Sequence, residues 1–257
     1  MILSKMTWKE AGQSFGDSKV ILLPIGSVEQ HGPIGPLGTD YEIPQEFARR
    51  LEDKNPRDRI LLPAIPYGVC PYHLGFPGTL NIGDEALYAV VKGITRSLLQ
   101  HRMKKFVFLN GHGGNGPALD KAALEVYQAG GLVAIVDWWV LAGQINSEWV
   151  GGHGAGQETS VMMAVDPSSV HKENCFPAEI GHLSEALRNT HINTVRYRKG
   201  SVRIVRDVRE VTSNGAYGGE DAAEDASAET GKAILDTLTE YMDAFVTEFT
   251  SLPLGRE

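Results

Sequence analysis

The chain has 257 residues, 42% hydrophobic and 22% charged, which is enough for one large buried core in an ordinary globular protein. A formal net charge of −8 excludes a non-specific nucleic-acid binder, which needs a basic surface. Two cysteines, Cys70 and Cys175, make no disulfide framework, and no stretch approaches the roughly 20 apolar residues of a membrane span. The opening MILSKMTWKE lacks the apolar run of a signal peptide, so a reducing cytoplasm is the expected compartment.

Within the lead-in, residues 1–18, Thr7 to Glu10 opens a small helix. Lys19 to Ile25 predicts a buried strand that breaks into a Gly- and Pro-rich loop. Tyr41 to Asp53 is amphipathic, with Ile43, Phe47, Ala48 and Leu51 at helical spacing and Pro44 in its first turn. A turn over residues 55–59 leads to a second strand, Ile60 to Pro66, and a loop, Tyr67 to Gly83. Asp84 to Arg102 predicts a helix with Leu87, Val90, Val91, Ile94, Leu98 and Leu99 on one side. Phe106 to Leu109 is an all-apolar strand, as a central parallel strand requires.

Pro117 to Ala129 predicts a helix ended by Gly130-Gly131, and Leu132 to Asp137 a fourth strand. Trp138-Trp139 and Trp149 follow, then the turn GGHGAG at 151–156 and a helix from Glu158 to Val165. Beyond Pro167 a short helix is expected at Leu183 to Arg188. Val195 to Val211, with Arg196, Arg198, Arg203, Arg206 and Arg209, reads as one or two edge strands whose arginines are either solvated or form an anion clamp. Ser213 to Gly219 is a loop, and Asp221 to Phe249 a closing helix with Ile234, Leu235, Leu238, Tyr241, Met242, Phe245 and Phe249 as its core stripe. Alternating strands and helices imply a mainly parallel sheet covered on both faces, and no linker divides residues 1–257, so a single domain is expected.

The chemistry-bearing residues lie in Gly-rich loops. Glu29 and His31, two apart in an extended segment, face one side, and Asp40 either caps the following helix or bends back to join them as metal ligands. His112 sits in Asn110-Gly-His-Gly-Gly-Asn115 after the third strand, and a third loop carries His153 and Glu158. Ligands in open α/β sheets bind beyond the carboxyl ends of the strands, where all three loops are expected to meet.

The segments GSVEQHGP…LGTD, FPGT (76–79), NGHGGN and HGAGQETS (153–160) resemble, in order over residues 19–166, the creatininase (creatinine amidohydrolase) family. The resemblance implies a three-layer αβα sandwich, a two-metal hydrolytic site with zinc, manganese or iron, and a homo-oligomer, often a hexamer. It assigns Glu29 and His112 to one metal, Asp40 to the bridge and His31 to the second metal. His153 falls on the catalytic histidine, and Trp149 on a substrate-packing tryptophan. Creatininase carries a Tyr and a ligating Glu where this chain has Gly113 and Gly114, so Glu158 is the replacement candidate. Ile34 stands where many relatives have a histidine.

The expected reaction is attack on a carbonyl by water activated between two divalent metals. His153 supplies the leaving group's proton, and the Gly113 and Gly114 N–H groups help hold an oxyanion. Trp149 or Trp138 is expected to stack on a flat ring. Cys70 and His73 either line the pocket or merely pack the loop. The substrate is a small molecule, with a cyclic amide first and a cyclic ketone or lactone of sugar or inositol breakdown second. A silent structural or ligand-binding homologue is the reading from another class. The absence of HExxH argues against an ordinary metallopeptidase.

Overall fold

The elements in chain order are α1 (Trp8–Ser14), β1 (Val20–Ile25), α2 (Thr39–Lys54), β2 (Arg59–Leu61), α3 (Asp84–Leu99), β3 (Lys105–Asn110), α4 (Gly116–Gln128), β4 (Leu132–Asp137), α5 (Trp138–Ile145), α6 (Gly156–Val165), β5 (Arg188–His191), β6 (Thr194–Tyr197), β7 (Gly200–Arg203) and α7 (Ala228–Ser251). They come from a computed structural model that describes residues 1–218 and 222–254. The first four strands pair in the order β2-β1-β3-β4, all parallel.

Alternation along these strands builds two cores. Val20 and Leu22 of β1 and Val107 and Leu109 of β3 face α2, α5, α6 and α7 through Phe47, Trp138, Met162 and Leu238. Ile21, Leu23, Ile25, Phe106 and Phe108 face α3 and α4 through Leu87, Val91, Leu119 and Val126. Both faces of β1 and β3 are dry, which is why those strands read as continuous apolar runs. The fold is an αβα sandwich with a parallel sheet.

Several expectations change. The second strand is three residues long; the chain then meets β1 again only through the Ile25–Ile65 bridge, because Pro63 and Pro66 cannot donate to a ladder. Leu183 to Arg188 is not helical: Leu183 is exposed and has no core to face, and the chain bends into β5. The basic segment does not add edge strands to the main sheet. It forms its own antiparallel meander, β5-β6-β7, with Val195 fully buried beneath it. The closing helix starts at Ala228, where the Ser227 side chain accepts from the Thr230 N–H; Asp221 and Gly219 lie outside the described residues. Tyr241 and Phe245 on that helix, and Val90 on α3, are exposed rather than core.

The approach of α2 to the sheet sets the site. The helix begins at Thr39, two residues earlier than its apolar pattern shows, so Asp40 lies in the first turn and Pro44 in the second. Pro44 has no N–H to offer the Asp40 carbonyl. That carbonyl lies against the loops leaving β1 and β3, and a Cβ built on Gly26 or Gly111 would stand 2.3 or 1.8 Å from it. Glycine at both positions is therefore a packing requirement for bringing Asp40 to the strand ends.

Candidate metal and active site

The loops after β1 and β3 and the N-terminus of α6 meet at the carboxyl edge of the sheet. The third of them follows α5 and a 3-10 turn (Ser147–Trp149) rather than a strand, and it is tied in by the Tyr217 N–H donating to the His153 carbonyl at 2.8 Å. Glu29, His31, Asp40, His112, His153 and Glu158 all reach one buried cluster. The ligand atoms of Glu29, Asp40 and His112 lie within 4.8 Å of one another, as do those of His31, His153 and Glu158. Asp40 joins the two sets: Oδ2 is 3.2 Å from His112 Nδ1, and Oδ1 is 3.0 Å from His31 Nε2.

Outer hydrogen bonds fix both imidazoles. His31 Nδ1 donates to the Glu29 carbonyl at 3.0 Å, and His112 Nε2 donates to the Val69 carbonyl at 2.9 Å. In the neutral rings this leaves His31 Nε2 and His112 Nδ1 as lone pairs aimed at carboxylates. Glu29 Oε1 and Asp40 Oδ2 are buried with no hydrogen-bond partner, although His112 Nδ1 is 3.2 Å from each. With both rings neutral, these carboxylate oxygens and imidazole lone pairs converge on one another, a donor set that matches a divalent cation of the zinc or manganese type.

His73 forms a third such set with Glu29 and His153, its Nε2 lying 3.8 Å from Glu29 Oε1. From the sequence it was expected to line the pocket or to pack the loop, not to join the ligand cluster.

Charge in the cluster follows from burial and neighbours. Burial pulls His31 down, but Asp40 and then Glu158 outweigh it and hold it at about 10. Burial likewise opposes the rise at His112, where Glu29 and Asp40 win and hold it well above its ordinary value. Asp40 is held below the usual carboxylate range by His31 and His112 against its burial. Burial lifts Glu158 to about 7. His153 is pushed well below its ordinary value by burial, then by His73 and His31. Burial raises the Cys70 thiol to about 11, so it stays protonated and donates to the Leu80 carbonyl at 3.4 Å.

A raised histidine stabilises the fold below its unfolded value and loses that contribution as pH climbs through its folded value. The cation-free protein is therefore expected to lose thermal stability between about pH 7 and about pH 10 as His31 and His112 give up their protons. Scanning calorimetry with and without excess zinc tests this, and the zinc-loaded protein should show the flatter profile.

A cavity of about 760 Å³ opens onto the cluster. Cys70, His73, Gly113, Gly114, His153 and Glu158 line it. The tryptophan on its wall is Trp139, however. Trp149 packs against the core, its carbonyl accepting from Gln157, and Trp138 is buried beside Phe47. The α5 register, invisible as helix in an all-apolar WWVLA run, turns Trp138 inward and Trp139 outward.

Sequence reasoning also missed the amides that set the loops. Asn115 accepts from the Val69 N–H at 3.0 Å and donates to the Gly26 carbonyl and to Asn110 Oδ1, tying three loops together. Asn110 Oδ1 accepts the His112 N–H, and its amide donates to the His112 carbonyl. The two asparagines framing NGHGGN were the available signal.

The family model described as creatinine amidohydrolase matches residues 4–246. The chain belongs to the creatininase family. Among its creatininase-family relatives, the mycofactocin precursor peptide peptidase of Mycolicibacterium smegmatis is 33% identical over 193 residues, covering 74% of this chain and 72% of that protein. The 3-dehydro-scyllo-inosose hydrolase of Thermotoga maritima is 25% identical, covering 98% and 84%. The creatinine amidohydrolase of Pseudomonas putida is 28% identical, covering 66% and 74%. A creatininase solved in an Mn form superposes with a TM-score of 0.74 at 23% identity, over 98% of this chain and 99% of that one, and so shares the fold. No helix among the described residues is long and apolar enough to cross a membrane.

Proposed function

We propose that this creatininase-family chain is a two-metal amidohydrolase that cleaves a carbonyl C–N bond. The observation that carries the reading is the pair of buried, unpartnered oxygens, Glu29 Oε1 and Asp40 Oδ2, each 3.2 Å from the same imidazole nitrogen, His112 Nδ1. Glu29 and His112 would hold one cation, His31 and Glu158 the other, with one Asp40 oxygen turned to each. Zinc or manganese suits these oxygen and imidazole donors. When bound, the cations polarise the substrate carbonyl and acidify water near neutral pH.

The chain's own groups handle the protons and the water. His153 was expected to donate to the leaving group, but a neutral imidazole first accepts. Its Nε2 donates to the Gln30 carbonyl at 2.7 Å, which leaves Nδ1 to take a proton from the attacking water and pass it to the leaving nitrogen. Burial lifts Glu158 to about 7 only without a cation; a bound cation would hold it as the carboxylate, so the proton transfer falls to His153. The Gly113 N–H and the Trp139 face line the wall where the substrate carbonyl and its substituent would sit.

The cyclic-amide substrate is the narrower form of this reading. At about 30 Å³ per water, a cavity of about 760 Å³ has room for a substrate well beyond a single five-membered ring. The names of the mycobacterial relatives make a peptide amide the other form, and the missing HExxH helix excludes only the helical zinc motif. The similarity to the inosose hydrolase over nearly the whole chain favours ring opening of a cyclic ketone as the second reading. Homo-oligomeric assembly, one catalytic unit over residues 1–257 and a cytoplasmic location belong to the same proposal.

A panel of creatinine, hydantoin, short peptides and a ketocyclitol, assayed before and after chelation, tests it. Hydrolysis of an amide that is lost on chelation and restored by zinc or manganese is expected. Turnover of the ketocyclitol alone would support the second reading, and metal-independent turnover of any amide would contradict the proposal.

A further inference from the structure

Of the basic residues in the meander and its exit, three already have partners. Arg206 donates to Asn189. Arg209 donates to the Gly75 carbonyl at 2.8 Å and lies over Phe76, and Arg198 lies over Tyr197. Arg188, Arg196 and Arg203 differ. All three are exposed, and among the described residues none of their guanidinium groups has a hydrogen bond or ion pair.

Pairing puts them on one face. Arg188 is directly opposite Arg196, Arg196 is opposite Ser201, and Arg203 is opposite Thr194, two residues along β6 from Arg196. Directly paired strand residues point the same way, so one face of the meander carries all three guanidinium groups while Val195 is buried on the other. Like charges directly opposite one another destabilise a sheet. Here that cost falls on an acidic chain in which Arg49, Arg50 and Arg59 are ion-paired. The row also leads into the candidate active site: Arg203 lines the 760 Å³ cavity with His191, Ile192, Asn193 and Thr194.

We propose that this arginine face is the anion-recognition surface of the catalytic cavity and selects a peptide-like substrate bearing carboxylates beyond the bond that is cut. The row crosses three strands about 4.8 Å apart. That spread is too wide for a single carboxylate or phosphate and suits a chain with more than one negative group. Arg203 holds the charge nearest the cavity, and Arg196 and Arg188 hold those farther out. The proposal rests on the amidohydrolase reading for the meaning of the cavity, but its test needs no turnover.

The test is calorimetric binding of blocked tetraglutamate to the full-length, metal-loaded protein, with blocked tetraglutamine and inorganic phosphate as the comparison ligands. Tetraglutamate should bind and weaken as salt is raised, tetraglutamine should not bind, and phosphate at equal ionic strength should not displace it. The triple variant Arg188→Gln, Arg196→Gln, Arg203→Gln should lose about tenfold or more in affinity, Arg203→Gln alone part of that, and Arg198→Gln none. Circular dichroism and metal content should stay as in the parent.

Equal affinity in the triple variant, or no binding of tetraglutamate by the parent, would overturn the proposal. So would phosphate competing as well as the peptide. A triple variant whose oligomeric mass changes while its tetraglutamate affinity does not would assign the face to a subunit contact and overturn it too. Loss of amide turnover with tetraglutamate binding intact would count against the amidohydrolase reading alone.

Discussion

Asp40→Ala is expected to bind neither cation stably and to lose turnover by about a thousandfold or more. Asp40 reaches both halves of the cluster with its two carboxylate oxygens, 3.0 Å from His31 and 3.2 Å from His112. Without it, two histidines and two glutamates remain as separate partial cages, each short of a ligand and short of negative charge. Thermal stability of the cation-free protein should fall as well, because His31 and His112 lose the buried carboxylate that holds their charge. Metal analysis, turnover on the active amide and a melting curve measured on one preparation separate these effects. Asp40→Ala retaining two cations and near-parental turnover would remove Asp40 from the bridging position.

The second large effect is expected at a residue with no functional group. Gly111→Ala places a methyl 1.8 Å from the Asp40 carbonyl and 3.0 Å from the Pro44 ring. Both neighbours are backbone or ring atoms of α2, so the helix start must move away from the strand ends. Overpacking of this kind costs about 3 kcal/mol, or roughly 10 °C in melting temperature for a chain of this size. It also carries Asp40 out of reach of His31 and His112. Cation affinity should therefore fall together with stability, whereas Gly93→Ala, an exposed control inside α3 with open space at its Cβ, should raise stability by about 1 kcal/mol and leave cation affinity unchanged. Melting curves and zinc titration of both variants check this, and a Gly111→Ala protein with parental zinc affinity would show that the helix position does not set the site.

The sequence made the sandwich legible because β1 and β3 are apolar on both faces, a signal that only a doubly covered parallel strand produces. The same logic failed where burial is one-sided or partial. The meander holds one fully buried apolar side chain, Val195, amid exposed neighbours, so its residues show weak alternation, and nothing in the pattern says that these strands form a sheet of their own. Tyr241 and Phe245 fit the helical period of α7, but the apolar arc there is wider than the core can cover.

In the site, the Glu29-x-His31 spacing and the glycines beside each histidine were readable as one-dimensional pattern. Other features were not. Trp139 rather than Trp149 faces the cavity because of a helix register that a run of hydrophobic residues does not encode. His73 joins Glu29 because the 67–83 loop folds back under Asn115, a contact made across 46 positions of sequence. The lowered basicity of His153 depends on its burial beside His73 and His31, whose ring centroids lie 4.4 and 4.6 Å away. No spacing rule carries that.

The inventory of metals in the protein as purified, without added salts or chelators, bears most directly on the site. The arrangement of Glu29, His31, Asp40, His112 and Glu158 predicts close to two divalent cations per chain by inductively coupled plasma mass spectrometry, falling with turnover when a chelator is applied. A protein that hydrolyses its amide at full rate with no bound metal would contradict it.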